Sequence, residues 1–215
     1  MAVDQLQLTN DALGILGERS LVTTTDATEA ARTMLALWDH AMRYCLSQGH
    51  WTFAEREAVL NPSVTEVPTY GLANAFAYPT DYVRVNELAS DEYFQSPIVQ
   101  IHERKSHWYC DLSTLYLRYV SNDAVYGYDV TLWPAAYELY FTLYLATRAS
   151  PRISPGSKVE LLRSGEGVSL KDAKLDALSK DAVNGPTQFL PQGSWANSRG
   201  SRSGGRNSRS SLYGS

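Results

Sequence analysis

A chain of 215 residues with 44% hydrophobic and 11% aromatic content holds enough apolar material to offset the entropy of ordering, which excludes wholesale disorder and leaves room for one core or two small ones. Its two cysteines, Cys45 and Cys110, stand outside any CxxC pair, so a disulfide-dense scaffold is excluded and each reads as a small buried hydrophobe. The net charge of −4 is uneven: residues 186–215 carry Arg199, Arg202, Arg206 and Arg209 without an acid, while residues 1–185 set 15 basic against 23 acidic residues, a net −8 that makes the body a poor grip for nucleic acid.

The opening MAVDQLQLTND has an acid at Asp4 and no basic stretch leading into an apolar one. It does not read as a signal peptide, and synthesis in the cytoplasm is expected. Leu6, Thr9, Leu13 and Leu16 share one face, predicting a first helix over 2–16 with Gly17 as its left-handed stop. Asp26 followed by Glu29 is a capping-box pair, predicting a second helix from there to about Gly49. Its core stripe is expected to be Ala30 or Ala31, Met34, Leu35, Trp38, Ala41, Met42 and Cys45.

From 51 to about 131 the period changes to two. Runs at 51–57, 81–88, 97–103, 107–112 and 115–121 alternate or are rich in β-branched and aromatic residues, and Pro62, Pro68, Gly71, Pro79 and Pro97 punctuate them. A small antiparallel sheet of about four to six strands is expected, with the charged step Glu103-Arg104-Lys105-Ser106 as a hairpin tip. A third helix is predicted from Pro134, which suits the first helical position, to Pro151. Between 135 and 146 it is apolar or aromatic nearly all round, with Tyr137, Tyr140, Phe141 and Tyr144 pointing in several directions. Such a helix is covered on all sides, by its own bundle or by neighbouring subunits, and these four residues are the candidate oligomer interface. The wider apolar window, 132–149, contains Pro134, Glu138 and Arg148 and reads as a buried helix, not a membrane span. A fourth helical stretch, 155–163 and then 169–183, is broken by Gly165 and Gly167; Val168, Ala173, Leu175, Leu178 and Val183 give it a weaker apolar face.

The expected fold class is therefore α+β: an antiparallel helical bundle of about four helices, from 1–50 and 132–185, with a small antiparallel β-domain inserted at 51–131 and an extended C-terminal tail at 186–215.

Chemistry-bearing patterns are sparse. Nothing resembles GxxxxGK, and the glycines of 163–167 follow no strand. His40, His50, His102 and His107 form neither HExxH nor zinc spacing with a cysteine, so no metal or cofactor is expected. His107 and Cys110 lie three apart on a strand and face opposite sides. Glu55 and Glu57 share a face and read as a solvated strand surface, not an acid–base pair. No residue set supports catalysis, and the expectation is a non-enzyme. After Trp195 the tail is nearly all Ser, Gly, Arg and Asn, unable to fold alone. It reads as a docking segment, Trp195 and Tyr213 being the aromatic anchors while Arg199, Arg202, Arg206 and Arg209 seek carboxylates or carbonyls on a partner. The alternative is an arm for RNA or DNA, since RGSRSGGR is the kind of arginine-glycine segment that contacts phosphate and stacks on bases.

Three ordered blocks carry a family resemblance. Residues 11–57, with Leu16-Gly17-Glu18, the acid-capped alanine-rich helix from Asp26 to Ser47, and Trp51-Thr52-Phe53, resemble the opening of the podovirus tail tubular protein A family, the head-to-tail adaptors that dock under the portal. Phe76-Ala77-Tyr78-Pro79-Thr80-Asp81-Tyr82-Val83-Arg84-Val85 is similar to the family's proline-x-aspartate and arginine-valine strand. The third block is the aromatic helix at 134–149. Gly165 and Gly167 depart from the long uninterrupted helix usual in the family, and the tail matches it only in an extended character and in Trp195 followed by Arg199. The resemblance implies a ring, usually of twelve copies, that joins the portal protein to the tail nozzle protein of a short-tailed bacteriophage virion and lines part of the DNA ejection channel. An acidic lumen suits passage of genomic DNA without specific binding, since each Lys or Arg facing the bore would add a phosphate contact to break.

Overall fold

Asp4 starts the first helix by accepting a hydrogen bond from the Gln7 N–H at 2.7 Å, and Gly17, at φ 74°, closes it by returning its N–H to the Gly14 carbonyl. This helix, α1 (Gln5–Leu16), buries Leu8, Ala12, Leu13 and Leu16, in a computed structural model that describes residues 3–69, 71–98, 100–154 and 169–184. The second helix, α2 (Glu29–Ser47), is capped by Thr28, whose hydroxyl accepts from the Ala31 N–H. The expected cap, Asp26, is spent elsewhere: its carboxylate accepts from the Val22 and Thr23 N–H groups and the Thr23 hydroxyl, folding the preceding loop. Met34, Ala41, Met42 and Cys45 are buried as the stripe predicts, but Leu35 is 54% exposed, because α2 is covered along one side only.

The β residues make six strands in two sheets. β1 (Glu55–Leu60), β6 (Leu115–Ser121) and β3 (Tyr82–Ala89) form one antiparallel sheet in the order β1-β6-β3; β2 (Asn74–Ala77), β5 (His107–Cys110) and β4 (His102–Arg104) form the other in the order β2-β5-β4. Both sheets turn one apolar face inward: Phe76, Trp108 and Cys110 meet Leu115, Leu117 and Tyr119 in a common cluster. Alternation along β6 sends Val120 the other way, into the cluster formed by the helices, so the first sheet lies between the second sheet and the helices. The β4–β5 turn is a two-residue loop with Lys105 and Ser106 both at positive φ, 46° and 65°, the sense that matches strand twist in a tight hairpin.

The third helix, α3 (Ala135–Ile153), is the hub on which α1, α2 and the last helix, α4 (Leu170–Asn184), each pack. Pro134 precedes its first residue and Pro151 lies inside its last turn, not at its end. Trp51, Trp133, Tyr137, Tyr140 and Phe141 are buried around it, each contributing roughly 1.5–3 kcal/mol on leaving water.

The α+β class stands, but the expected helical bundle with one inserted sheet is corrected. No extended bundle forms: α1 has 12 residues, and α4 brings to the helical core Ala173, Ala177 and the flanks of Leu170 and Leu178. Leu175 and Val183, expected in that face, are 54% and 83% exposed. The single small sheet is likewise replaced by two three-stranded sheets, since β5 and β6 each have one apolar face and bury both by facing each other. Residues 51–53 are also no strand: Thr52–Ala54 is a 3-10 turn, and the run at 97–103 pairs only from His102 onward apart from an isolated Ala89–Pro97 bridge. The expected tail at 186–215 and the glycines at 165 and 167 lie outside the described residues.

Candidate functional site

The sequence blocks that carry the family resemblance converge on the joint between the helices and the first sheet. At its centre is Asp81, in the turn ahead of β3. Its carboxylate accepts from Arg56 Nη1 at 2.8 Å on β1, from the Tyr119 hydroxyl at 3.0 Å and the Ser121 hydroxyl at 2.5 Å on β6, and its backbone carbonyl takes the Asn122 N–H. One side chain thus ties three strands at their helix-proximal end. Burial works to raise the Asp81 carboxyl, and the hydrogen bonds from Ser121, Arg56 and Tyr119 together outweigh it, leaving it below its ordinary value. Arg56 also lies over the Tyr126 ring, 5.2 Å from its centroid, and 3.8 Å from Asp123.

A few residues along, Arg84 donates to the Ser47 carbonyl at 3.0 Å, satisfying the last turn of α2 with a cation where the helix dipole favours one. His50 and Asn86 meet at 2.8 Å, and Asn86 donates to Glu55 at 2.7 Å. Glu57 pairs with Arg118 at 2.7 Å, so both carboxylates of the Glu55/Glu57 face are engaged by neighbours. Trp51 donates its indole N–H to the Cys45 carbonyl at 3.1 Å and packs edge-on against Tyr137, centroids 4.7 Å apart. Thr52 gives both its N–H and its hydroxyl to Asp181 of α4, and Phe53 packs on Tyr137 at 4.8 Å. Trp133, its N–H bound to the Gly127 carbonyl, completes the aromatic cluster against Tyr137 and Phe141. A side chain at Gly127 would run into the Ser121 backbone and Leu46, so the turn before α3 comes close enough to β6 only with glycine there.

The four residues of the candidate oligomer interface lie in this same region. Tyr137, Tyr140, Phe141 and Tyr144 are all buried within one chain, Tyr144 stacking on Tyr44 of α2 at 4.6 Å. The chain's own neighbouring elements cover these four residues, while Leu139 of the same helix stays 41% exposed. The Tyr137 hydroxyl is buried without a hydrogen-bond partner, and burial lifts its phenol well above the ordinary value. The tail candidates Trp195, Arg199, Arg202, Arg206, Arg209 and Tyr213 lie outside the described residues.

The two thiols sit in the two cores, Cys45 among the helices and Cys110 between the sheets, both free and buried. Burial pushes Cys45 up to about 12 and raises Cys110 as well. His107 and Tyr109 point to the outside of the second sheet, opposite Cys110. Among the described residues no group of three His, Cys, Asp or Glu is placed to hold a metal ion, and no helix is long and apolar enough to cross a membrane.

Sequence reasoning quoted Asp81 within a motif without giving it a role, and passed over Arg56 and Asp181. Asp81 had a local signal, an acid between a Pro-Thr turn and a β-branched strand; Asp181 had none beyond being a polar residue on the inward side of a weakly patterned helix. Searches of protein-family models and of curated proteins find no match to this chain.

Proposed function

We propose that this protein is a structural head-to-tail adaptor of a short-tailed bacteriophage, a homo-oligomeric ring between portal and tail nozzle through which the genome passes. The observation that supports the reading most is that the three blocks resembling the tail tubular protein A family supply the joint itself. Trp51-Thr52-Phe53 seats on α2, α3 and α4, Asp81 ties β1, β3 and β6, and the aromatic helix is the hub. A connector must pass force between partners at its two ends without yielding, and a buried aromatic cluster beside a multidentate carboxylate resists shear between the layers. In this reading the contacts between copies fall on exposed apolar positions such as Leu139, in the groove between α1 and α3, and Leu132, the tail from 186 onward clasps the portal, and the acid excess of residues 1–185 keeps the lumen from retaining DNA.

Electron microscopy of the purified protein mixed with the portal protein of the same phage tests this directly. The expected result is a ring seated under the portal by the full chain, with attachment lost and the fold kept on deletion of residues 187–215. A deletion that leaves portal attachment whole while abolishing retention of RNA or DNA would replace the adaptor with a nucleic-acid-binding protein that uses its arginine tail.

A further inference from the structure

On an acidic body, the outer face of the second sheet is an exception. Trp108 and Cys110 point inward, so His107 and Tyr109 point out, and their cross-strand partners Arg104 and His102 share that face. Beside them residues 61–69 and 71–73 form a wall. Ser63 gives its N–H to the Ala75 carbonyl at 2.6 Å while its hydroxyl accepts from Thr65 and Glu66. The Tyr109 hydroxyl donates to Glu66 at 3.2 Å, and the Ala73 N–H is held by Asp111 at 2.8 Å. Sheet and wall enclose a cleft of about 330 Å³ with Val67, Pro68 and Leu72 on one side and Arg104, His102 and Tyr109 on the other, within the volume range of ligand sites.

Two features of the cleft define what fits it. Glu66, also lining the cleft, accepts from Tyr109 and keeps its negative charge, which confines an incoming anion to the other side, where Arg104 has no ion-pair or hydrogen-bond partner among the described residues; its guanidinium fork is left for a single oxyanion there. The second is the sheet edge. β4 is the outer strand of β2-β5-β4, and because Arg104 and His107 flank a two-residue turn they form the bonded pair, which turns the Glu103 N–H and C=O away from β5 into the open edge.

We propose that this cleft binds an extended peptide segment of a partner protein that adds along β4 and places a carboxylate on Arg104, with His102 and Tyr109 lining its path and an apolar neighbour of that carboxylate against Val67, Pro68 and Leu72. Main-chain pairing at an edge supplies affinity and the side-chain cleft supplies selection. Charge favours a peptide over nucleic acid: one guanidinium and the adjacent Lys105 suffice for a single carboxylate, while a phosphate backbone needs many counterion replacements on a surface whose wider field repels it. This inference stands on the cleft and holds whether or not the adaptor reading does.

The test is an amide NMR titration of the full chain with a capped heptapeptide alternating Val and Glu, with its Val and Gln twin, and with an oligothymidylate of equal charge. The Glu peptide is expected to shift the Glu103, Arg104 and Tyr109 amides saturably, with binding about ten-fold weaker for the Gln twin and for Arg104→Gln, the scale of one charge-assisted hydrogen bond. Arg104 is exposed, so the variant keeps its fold, and an unchanged spectrum away from β4 verifies this. No shift at those amides, equal binding of both peptides, or indifference to Arg104→Gln overturns the proposal; stronger shifts from the oligothymidylate overturn it in favour of a phosphate site.

Discussion

Replacing Asp81 by Asn tests the joint with almost no change in shape. The carboxylate accepts three side-chain hydrogen bonds, from Arg56, Tyr119 and Ser121. An amide has one carbonyl with two lone pairs and presents N–H donors where the carboxylate presented oxygen, so at least one donor goes unpaired. Tyr119 and Ser121 are buried and have no water to turn to, at about 1–3 kcal/mol for each unsatisfied group. The Arg56 side chain is 38% exposed against 13% for Asp81, so water takes back much of the ion pair and its share is discounted. The expected loss is about 2–4 kcal/mol, read as a fall in Tm of roughly 4–16 °C at this size. Acid supplies a second readout. Since the folded Asp81 carboxyl lies below its ordinary 3.8, its contribution is whole above that pH and disappears as pH falls through the folded value. The parent should therefore lose stability as pH falls below the carboxyl's ordinary 3.8 by a component that Asp81→Asn lacks. Urea unfolding at pH 7 and pH 3 measures both; a variant within about 0.5 kcal/mol of the parent at pH 7, with the same acid loss, refutes the assignment of Asp81 as the tie between strands.

Two further predictions concern the helical core. Tyr137→Phe removes a buried hydroxyl that has no partner and should stabilise the protein by up to about 1 kcal/mol, measured by the same urea midpoint; destabilisation beyond that amount would mean the hydroxyl is engaged. Cys45 and Cys110 are buried, and burial raises both thiols, so a thiol-specific disulfide reagent at pH 8 should label neither until urea opens the cores; rapid labelling of native protein would place at least one of them at the surface.

The α+β class, a hairpin within Glu103–Ser106 (its turn proving to be Lys105-Ser106 alone, with Glu103 and Arg104 in β4), the strands at 82–89, 107–110 and 115–121, the stop at Gly17 and the buried third helix were legible in the residues, because each follows from period, turn chemistry or a cap within a few positions. Of the joint, the sequence showed the motif and not the partners. Asp81 and Arg56 lie 25 residues apart, and Thr52 and Asp181 lie 129 apart; no local rule links them. Even the second helix cap went to Thr28 because the loop claimed Asp26 first.

What the sequence determined by itself is which surfaces must leave water: the all-round apolar stretch from 135 to 146, and one face each of β5 and β6. What covers them was decided by tertiary structure alone. Burial of apolar area is non-directional, so a greasy helix reads the same whether a second copy or its own chain closes over it. Packing chose the chain's own α1, α2 and α4, set two sheets face to face where one was expected, and left Arg104 outside both cores without an ion-pair partner among the described residues.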